Sequence, residues 1–183
     1  MQARLAPACL THARLTHAGL AQGSILGQVA RMPVILQPMR AADLPAIQAL
    51  WVAAWSATLP EIDFAARRDW LATHLAELHA AGASTLCATE GATEGAAIAG
   101  FLTWLPENGL IEQLAAHPAR FGAGIGSALL AAVKQQRPAG LHLLVNQENP
   151  RAVAFYQREG FAIAGATTNP GGARPLWRMR WPA

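Results

Sequence analysis

Residues 117–130, HPARFGAGIGSALL, constrain the fold of this chain more than any other stretch. They follow an apolar-rich run, LIEQLAA, that reads as a strand. They open an amphipathic helix in which Ile125, Leu129, Leu130 and Val133 share one face. A strand that passes into a helix within a few residues needs a tight turn, and Gly122, Gly124 and Gly126 supply the freedom for one. The first turn of any helix also carries backbone N–H groups without partners, and its dipole favours an anion there. The loop therefore reads as a seat for a phosphate or as a bare strand-to-helix turn, and both readings stay open on the loop alone. It matches neither common phosphate fingerprint. The spacing is G-x-G-x-G rather than G-x-G-x-x-G, the next acid is the distant Glu148, and no Gly-Lys-Ser/Thr follows.

Composition bounds the rest. With 183 residues, 52% hydrophobic and 14% charged, the chain has the length of one domain and the make-up of a globular core. Its longest apolar runs fall short of the ~18 residues that a membrane span needs. Cys9 and Cys87 form no disulfide framework, which suits a reducing, cytoplasmic setting, and the six histidines show no ligand spacing, so no metal is expected. The formal charge of +3 comes from Arg4, Arg14 and Arg31, since eleven basic and eleven acidic residues balance from Met32 onward. Nucleic acid is accordingly not an expected partner, nor is a membrane. Residues 1–31 read as an acid-free N-terminal extension: a disordered tail, a non-native start ahead of Met32, or a targeting peptide. Residues 32–183 are the expected domain.

Periodicity gives the order of elements. A strand at residues 34–39 precedes a helix opened by Asp43 and Pro45, with Ile47, Leu50, Trp51, Ala54 and Trp55 at helical spacing. After the break TLPEID, Asp63 caps a second helix with Phe64, Leu71, Leu75 and Leu78 inward, and Gly82 ends it. Residues 84–89 and 97–105 read as an antiparallel pair with Gly91 and Gly95 at the turn; residues 110–116 form the strand before the glycine loop. Beyond the loop helix come a strand at 141–145, a helix capped by Asn149 and stopped at Gly160, and a hairpin from 161–167 and 176–181. The expected class is α/β (α+β), a mixed, mostly antiparallel sheet flanked by helices, in the order β-α-α-β-β-β-α-β-α-β-β.

Two blocks carry more than periodicity. LIEQLAAHPARFGAGIGSALL and, about 25 residues on, LHLLVNQENPRAVAFYQREGF together resemble the GNAT superfamily of acetyl-CoA-dependent N-acetyltransferases over about residues 34–183. The first is similar to that family's pyrophosphate loop and the second to its N-x-x-A-x-x-F-Y helix. One position departs: Phe121 stands where the family usually has Gln or Arg, with Arg120 one place earlier. The resemblance implies backbone contacts to the pantetheine arm of acetyl-CoA from Leu114, Ala115 and Ala116. It implies a pyrophosphate on the amides of Phe121, Gly122, Ala123, Gly124, Ile125, Gly126 and Ser127. It also implies a cofactor contact from Asn149, and Tyr156 as the acid for the leaving sulfur. Asn149 is at the same time a plain helix cap. Tyr156, the only tyrosine of the chain, also reads as a half-buried aromatic with its hydroxyl at the surface.

The implied reaction is acetyl transfer to a primary amine of a small molecule or peptide by direct attack in a ternary complex; a catalytically silent acyl-CoA-binding module is the alternative. Such a transfer needs a base for the amine and an acid for the thiolate. Glu112 is the candidate base, because strand alternation puts it on the face of Leu114; a solvated or ion-paired glutamate is the competing reading. Trp51, Trp55, Glu61 and Asp63 are candidates for the acceptor site, since aromatics and carboxylates suit a cationic amine. The tryptophans read more readily as core, and Asp63 equally as a cap. A homodimer stays open.

Overall fold

The computed structural model describes residues 33–91, 96–169 and 174–182. Residues 1–31, read above as an extension, and Gly95 lie outside the described residues. The described chain runs β1 (Val34–Pro38), α1 (Leu44–Ser56), α2 (Arg68–Ala80), β2 (Ser84–Glu90), β3 (Ile98–Leu105), β4 (Leu110–Ala116), α3 (Ile125–Gln136), β5 (Leu141–Asn146), α4 (Pro150–Arg158), β6 (Ala162–Thr168) and β7 (Pro175–Trp181). The order matches the sequence reading. The sheet runs β1-β2-β3-β4-β5-β7-β6 and is antiparallel everywhere except between β4 and β5. The last hairpin thus turns its second strand inward against β5 and leaves β6 at the edge.

Two apolar clusters lie on opposite faces. On one, α1 and α2 bury Ile47, Leu50, Trp51, Leu71 and Leu75 against Phe101 and Ala115. On the other, Ile125, Leu129, Leu130 and Val133 of α3 pack with Leu102, Trp104 and Ile111, and the cluster extends to Tyr156 and Phe161. Truncating one of these wholly buried leucines to alanine costs ~2–5 kcal/mol.

Asp43 and Asp63 depart from their expected roles. Asp43 sits just ahead of α1 but turns its carboxylate back to Arg40, accepting from that residue's backbone N–H at 2.7 Å and from Nη2 at 3.1 Å. The Arg40 hydrogen bond holds the carboxyl below its ordinary range, against the opposing effect of burial. Asp63 caps a 3-10 turn, Ala65–Arg67, that precedes α2, accepting from the Ala66 N–H at 3.1 Å. Between cap and helix the Phe64 ring packs against Trp51 and Trp55 of α1, at centroid distances of 5.3 and 5.6 Å.

One irregularity positions everything that follows. In the β3–β4 ladder Thr103 faces Gln113 and Trp104 faces Ile111, so Glu112 is an extra residue, a β-bulge. The β4–β5 ladder holds two described pairs, Leu110↔His142 and Ile111↔Leu143, and ends just before that bulge. Beyond it the two parallel strands part.

Candidate active site

The parting of β4 and β5 opens a cleft of about 670 Å³, within the ~300–1,000 Å³ typical of small-molecule sites. Leu114, Ala115 and Ala116 form one wall. The His117 N–H donates to the Ala99 oxygen of β3, and strand alternation then turns the N–H and C=O groups of Leu114 and Ala116 the other way, toward the gap that β5 has left. An extended amide-bearing ligand can take up those groups as a strand would.

The glycine turn closes one end. Gly122 and Gly124 have φ of +81° and +90°, and a Cβ on either would meet no atom within 4 Å. Their requirement is left-handed backbone facing open space. Gly126 serves differently: a Cβ there would come within 3.0 Å of the Phe155 ring, so it lets α3 and α4 touch. The turn uses some of its own donors. The Phe121 N–H donates to Pro118 O and the Ala123 N–H to Arg120 O, and Ala123 packs against the core rather than lining the cleft. This corrects the expectation that all seven amides are offered to a ligand. Those of Gly122, Gly124, Ile125, Gly126 and Ser127 find no acceptor among the described residues. The Ser127 hydroxyl is also spoken for, donating to Glu159 Oε1 at 2.5 Å.

Arg120, weighed as the substitute at the Phe121 position, is held by Glu90 of β2, with Nε 2.6 Å from Oε2. The cation on the Phe121 ring is instead Arg151 of α4, whose guanidinium carbon lies 3.6 Å from the ring centroid. Arg151 also donates to Thr58 Oγ1 at 3.4 Å. Sequence reasoning passed over Arg151. Its signal was present: a cation in the first turn of a helix opposes the dipole, so it needs another reason to be there. Thr58, Leu144, Asn146 and Arg158 are further lining residues that the sequence reading did not single out. Asn149 lines the cleft and caps α4, its Oδ1 accepting from the Ala152 N–H at 3.0 Å, so the two roles coexist.

Tyr156 lines the cleft while its ring packs between Phe155 and Phe161 at centroid distances of 5.2 and 5.6 Å. It is buried, at 9% exposure, rather than half-exposed. Burial pushes its phenol above the ordinary tyrosine range, which keeps it a proton donor.

Glu112 also lines the cleft and is the one carboxylate among the described residues that do so. Its placement corrects the alternation argument. Because of the bulge, Leu114 packs toward the α3 face, while Glu112 meets α2, with His74 Nε2 3.3 Å from Oε1. The adjacent Gln113 accepts from Trp51 Nε1 of α1 at 3.2 Å.

Of the acceptor candidates, Trp55 lines the cleft and Trp51 lies in the core behind it. Glu61 is exposed and pairs with Arg174 at 3.2 Å; Asp63 is occupied as a cap; neither lines the cleft. Among the described residues no cluster of His, Cys, Asp and Glu could hold a metal ion, and no helix is long and apolar enough to cross a membrane.

Comparison with known proteins adds to this geometry. Residues 82–163 match the family model of the acetyltransferase (GNAT) domain. The peptidyl-lysine N-acetyltransferase YiaC of Escherichia coli (strain K12) is 34% identical over 89 residues, 49% of this chain and 60% of that protein. The chain thus matches about 60% of the length of that relative. Among solved structures, apo YjaB from Escherichia coli aligns at TM-score 0.62 and 24% identity over 82% of this chain and 98% of the other. PaiA N-acetyltransferase from Thermoplasma acidophilum, in complex with coenzyme A, aligns at TM-score 0.62 and 17% identity over 81% and 98%. A histone acetyltransferase HPA2-related protein from Corynebacterium glutamicum aligns at TM-score 0.66 and 20% identity over 82% and 97%. These structural likenesses speak for the fold.

Proposed function

We propose that this chain, whose residues 82–163 match the acetyltransferase (GNAT) domain, moves an acetyl group from acetyl-CoA to a primary amine of a small molecule or peptide. The observation that carries the reading is the single cleft shared by the glycine turn, the open edge of β4, Tyr156 and Glu112. The residues fit the cofactor. Five open amides at the start of α3 suit a pyrophosphate, Arg120, Arg151 and Arg158 line the same cleft, and the free edge at Leu114 and Ala116 suits an amide-bearing arm. Acetyl-CoA supplies the acetyl group already activated as a thioester.

In this reading Glu112 takes a proton from the acceptor amine, directly or through a water, so that nitrogen can form the new bond to the acetyl carbon. Tyr156 gives its phenolic proton to the sulfur as the carbon–sulfur bond breaks. No covalent enzyme intermediate is required, and both substrates are held together. Trp55 offers an aromatic surface for the stem of the amine. The likeness to a peptidyl-lysine acetyltransferase supports including lysine peptides among the acceptors. The activity resides in residues 32–183, so a chain beginning at Met32 keeps it.

Thermal-shift measurement with acetyl-CoA, CoA, ATP and NAD tests the cofactor. A ligand at 100-fold excess over its Kd stabilises by about 2.7 kcal/mol. Stabilisation by acetyl-CoA and CoA but not by ATP or NAD is expected, and the reverse overturns the reading. Thiol release with a panel of amines and lysine peptides then tests transfer.

A further inference from the structure

The bulge on β4 is gripped from both helices of the adjacent face. Trp51 of α1 donates to Gln113. His74 of α2 reaches Glu112. Trp70, one turn before His74, stacks on the imidazole at 4.7 Å with an interplanar angle of 14° and lies 5.9 Å from Trp51. Gln113, Trp51, Trp70, His74 and Glu112 thus form a closed ring that returns to adjacent residues of one strand. Trp70 is 52% exposed, so its burial does not explain its place. The stack fixes the plane of the imidazole, with Nε2 3.3 Å from the carboxylate. His74 itself keeps a part of its side chain in contact with solvent, 22%, against 31% for Glu112.

We propose that His74 is a positioning residue that acts through Glu112: it relieves the carboxylate of the proton taken from each acceptor amine. The inference rests on the reading of Glu112 as the base. The proton balance is simple. The ammonium proton passes to the Glu112 carboxylate, then from the carboxyl to Nε2 of His74 in the tautomer that carries its own proton on Nδ1; the imidazolium gives the Nδ1 proton to water, and the ring exchanges tautomers through solvent before the next turnover. Glu112 is left ionised for the next turnover. Among the described residues the neighbouring elements offer few other titratable groups. α1 and β3, packed on the same region, contain no titratable side chain, and β4 contributes only Glu112. On α2 the residues one turn from His74 are Trp70 and Leu71 on one side and Glu77 and Leu78 on the other. Glu77 is exposed.

The test compares His74→Gln, Glu112→Gln and the double variant by acetyl-CoA-dependent thiol release across pH. His74→Gln is expected to lower kcat about tenfold at neutral pH, the scale for losing a group that orients an acting residue, with KM for acetyl-CoA kept within about twofold. The ratio of parent to variant rates should change with pH, which a merely structural loss would not produce; the acceptor's own ionisation cancels in that ratio. The double variant should be no slower than Glu112→Gln alone. Trp70→Leu, at an exposed position, frees the ring and should lower kcat in the same direction, which keeps the proposal testable if His74→Gln does not fold. Parent-like kcat in His74→Gln beside a slow Glu112→Gln overturns the relay and leaves the base in place. Parent-like activity in Glu112→Gln overturns both readings. Additive losses in the double variant mean that His74 does not act through Glu112.

Discussion

The two ends of the cleft are built by different means. At the end assigned to the cofactor, backbone groups do the work: left-handed glycines, unpaired amides at a helix start, and the free edge of β4. At the end assigned to the acceptor, side chains from α1, α2 and β4 meet, and each depends on partners far away in sequence, as Trp51 and Gln113 do across 62 residues. A backbone site tolerates a change of side chain as long as the turn survives. A side-chain site loses its function with one atom.

The largest effect should come from putting bulk and charge into the backbone end. Gly124→Glu sets a carboxylate beside the open amides and forces a side chain onto a φ of +90°. Stabilisation by acetyl-CoA in a thermal-shift assay should vanish. The melting temperature without ligand separates lost binding from lost folding, since strain at one turn should lower it by only a few degrees while the ligand response disappears.

Tyr156→Phe comes next and cuts the other way. The ring and its packing between Phe155 and Phe161 are kept, so fold and acetyl-CoA affinity should hold. Turnover at saturating cofactor should fall by ~10²-fold or more, the scale for a positioned acid. Burial raises the phenol above its ordinary range, so the acid form persists to higher pH; the parent's rate should therefore not decline through pH ~10, where a free tyrosine ionises. Full activity in the variant would return Tyr156 to the role of an aromatic filler and revive the silent acyl-CoA-binding module.

Glu112→Gln probes the side-chain end. Turnover should drop roughly 10²-fold at neutral pH with acetyl-CoA affinity near the parent value. The gap to the parent should narrow as pH rises, because the acceptor amine then deprotonates unaided. A constant gap across pH would assign Glu112 to structure.

The same contrast decides what could be read from residues alone. The glycine turn, the Asn149 cap and the Ile125–Val133 face were legible because each is local: the pattern and the geometry lie within one turn or one helix. The order of elements followed for the same reason. The face of Glu112 was not legible, since period-two alternation holds only in a ladder without a bulge, and nothing local marks Glu112 as the extra residue. Arg120 looked like the cation of the loop because it was adjacent in sequence, yet Glu90 of β2 takes it. Trp51 and Trp55 lie one helical turn apart and both read more readily as core than as site, until the fold put one behind the other and Trp55 on the cleft.

The smallest effect expected joins the two kinds of construction. Arg151 is a side chain serving the backbone end: its guanidinium lies on the Phe121 ring, at the rim of the glycine turn. Stacking there holds a positive charge beside the turn that carries the open amides. Arg151 is exposed, and screening by solvent and salt limits what one such contact contributes. Arg151→Ala should therefore raise the Kd for acetyl-CoA by only about three- to tenfold and leave kcat unchanged at saturation. Arg151→Lys should recover little, because an ammonium does not stack as a planar guanidinium does. Phe121→Ala should reproduce the loss, since without the ring the guanidinium loses its platform, and combining it with Arg151→Ala should add little further. Measured by titration at two salt concentrations, the parent should show the steeper salt dependence. An Arg151→Ala variant that binds acetyl-CoA as the parent does, with the same salt dependence, would mean that the backbone amides hold the phosphates alone and that Arg151 only packs against Phe121.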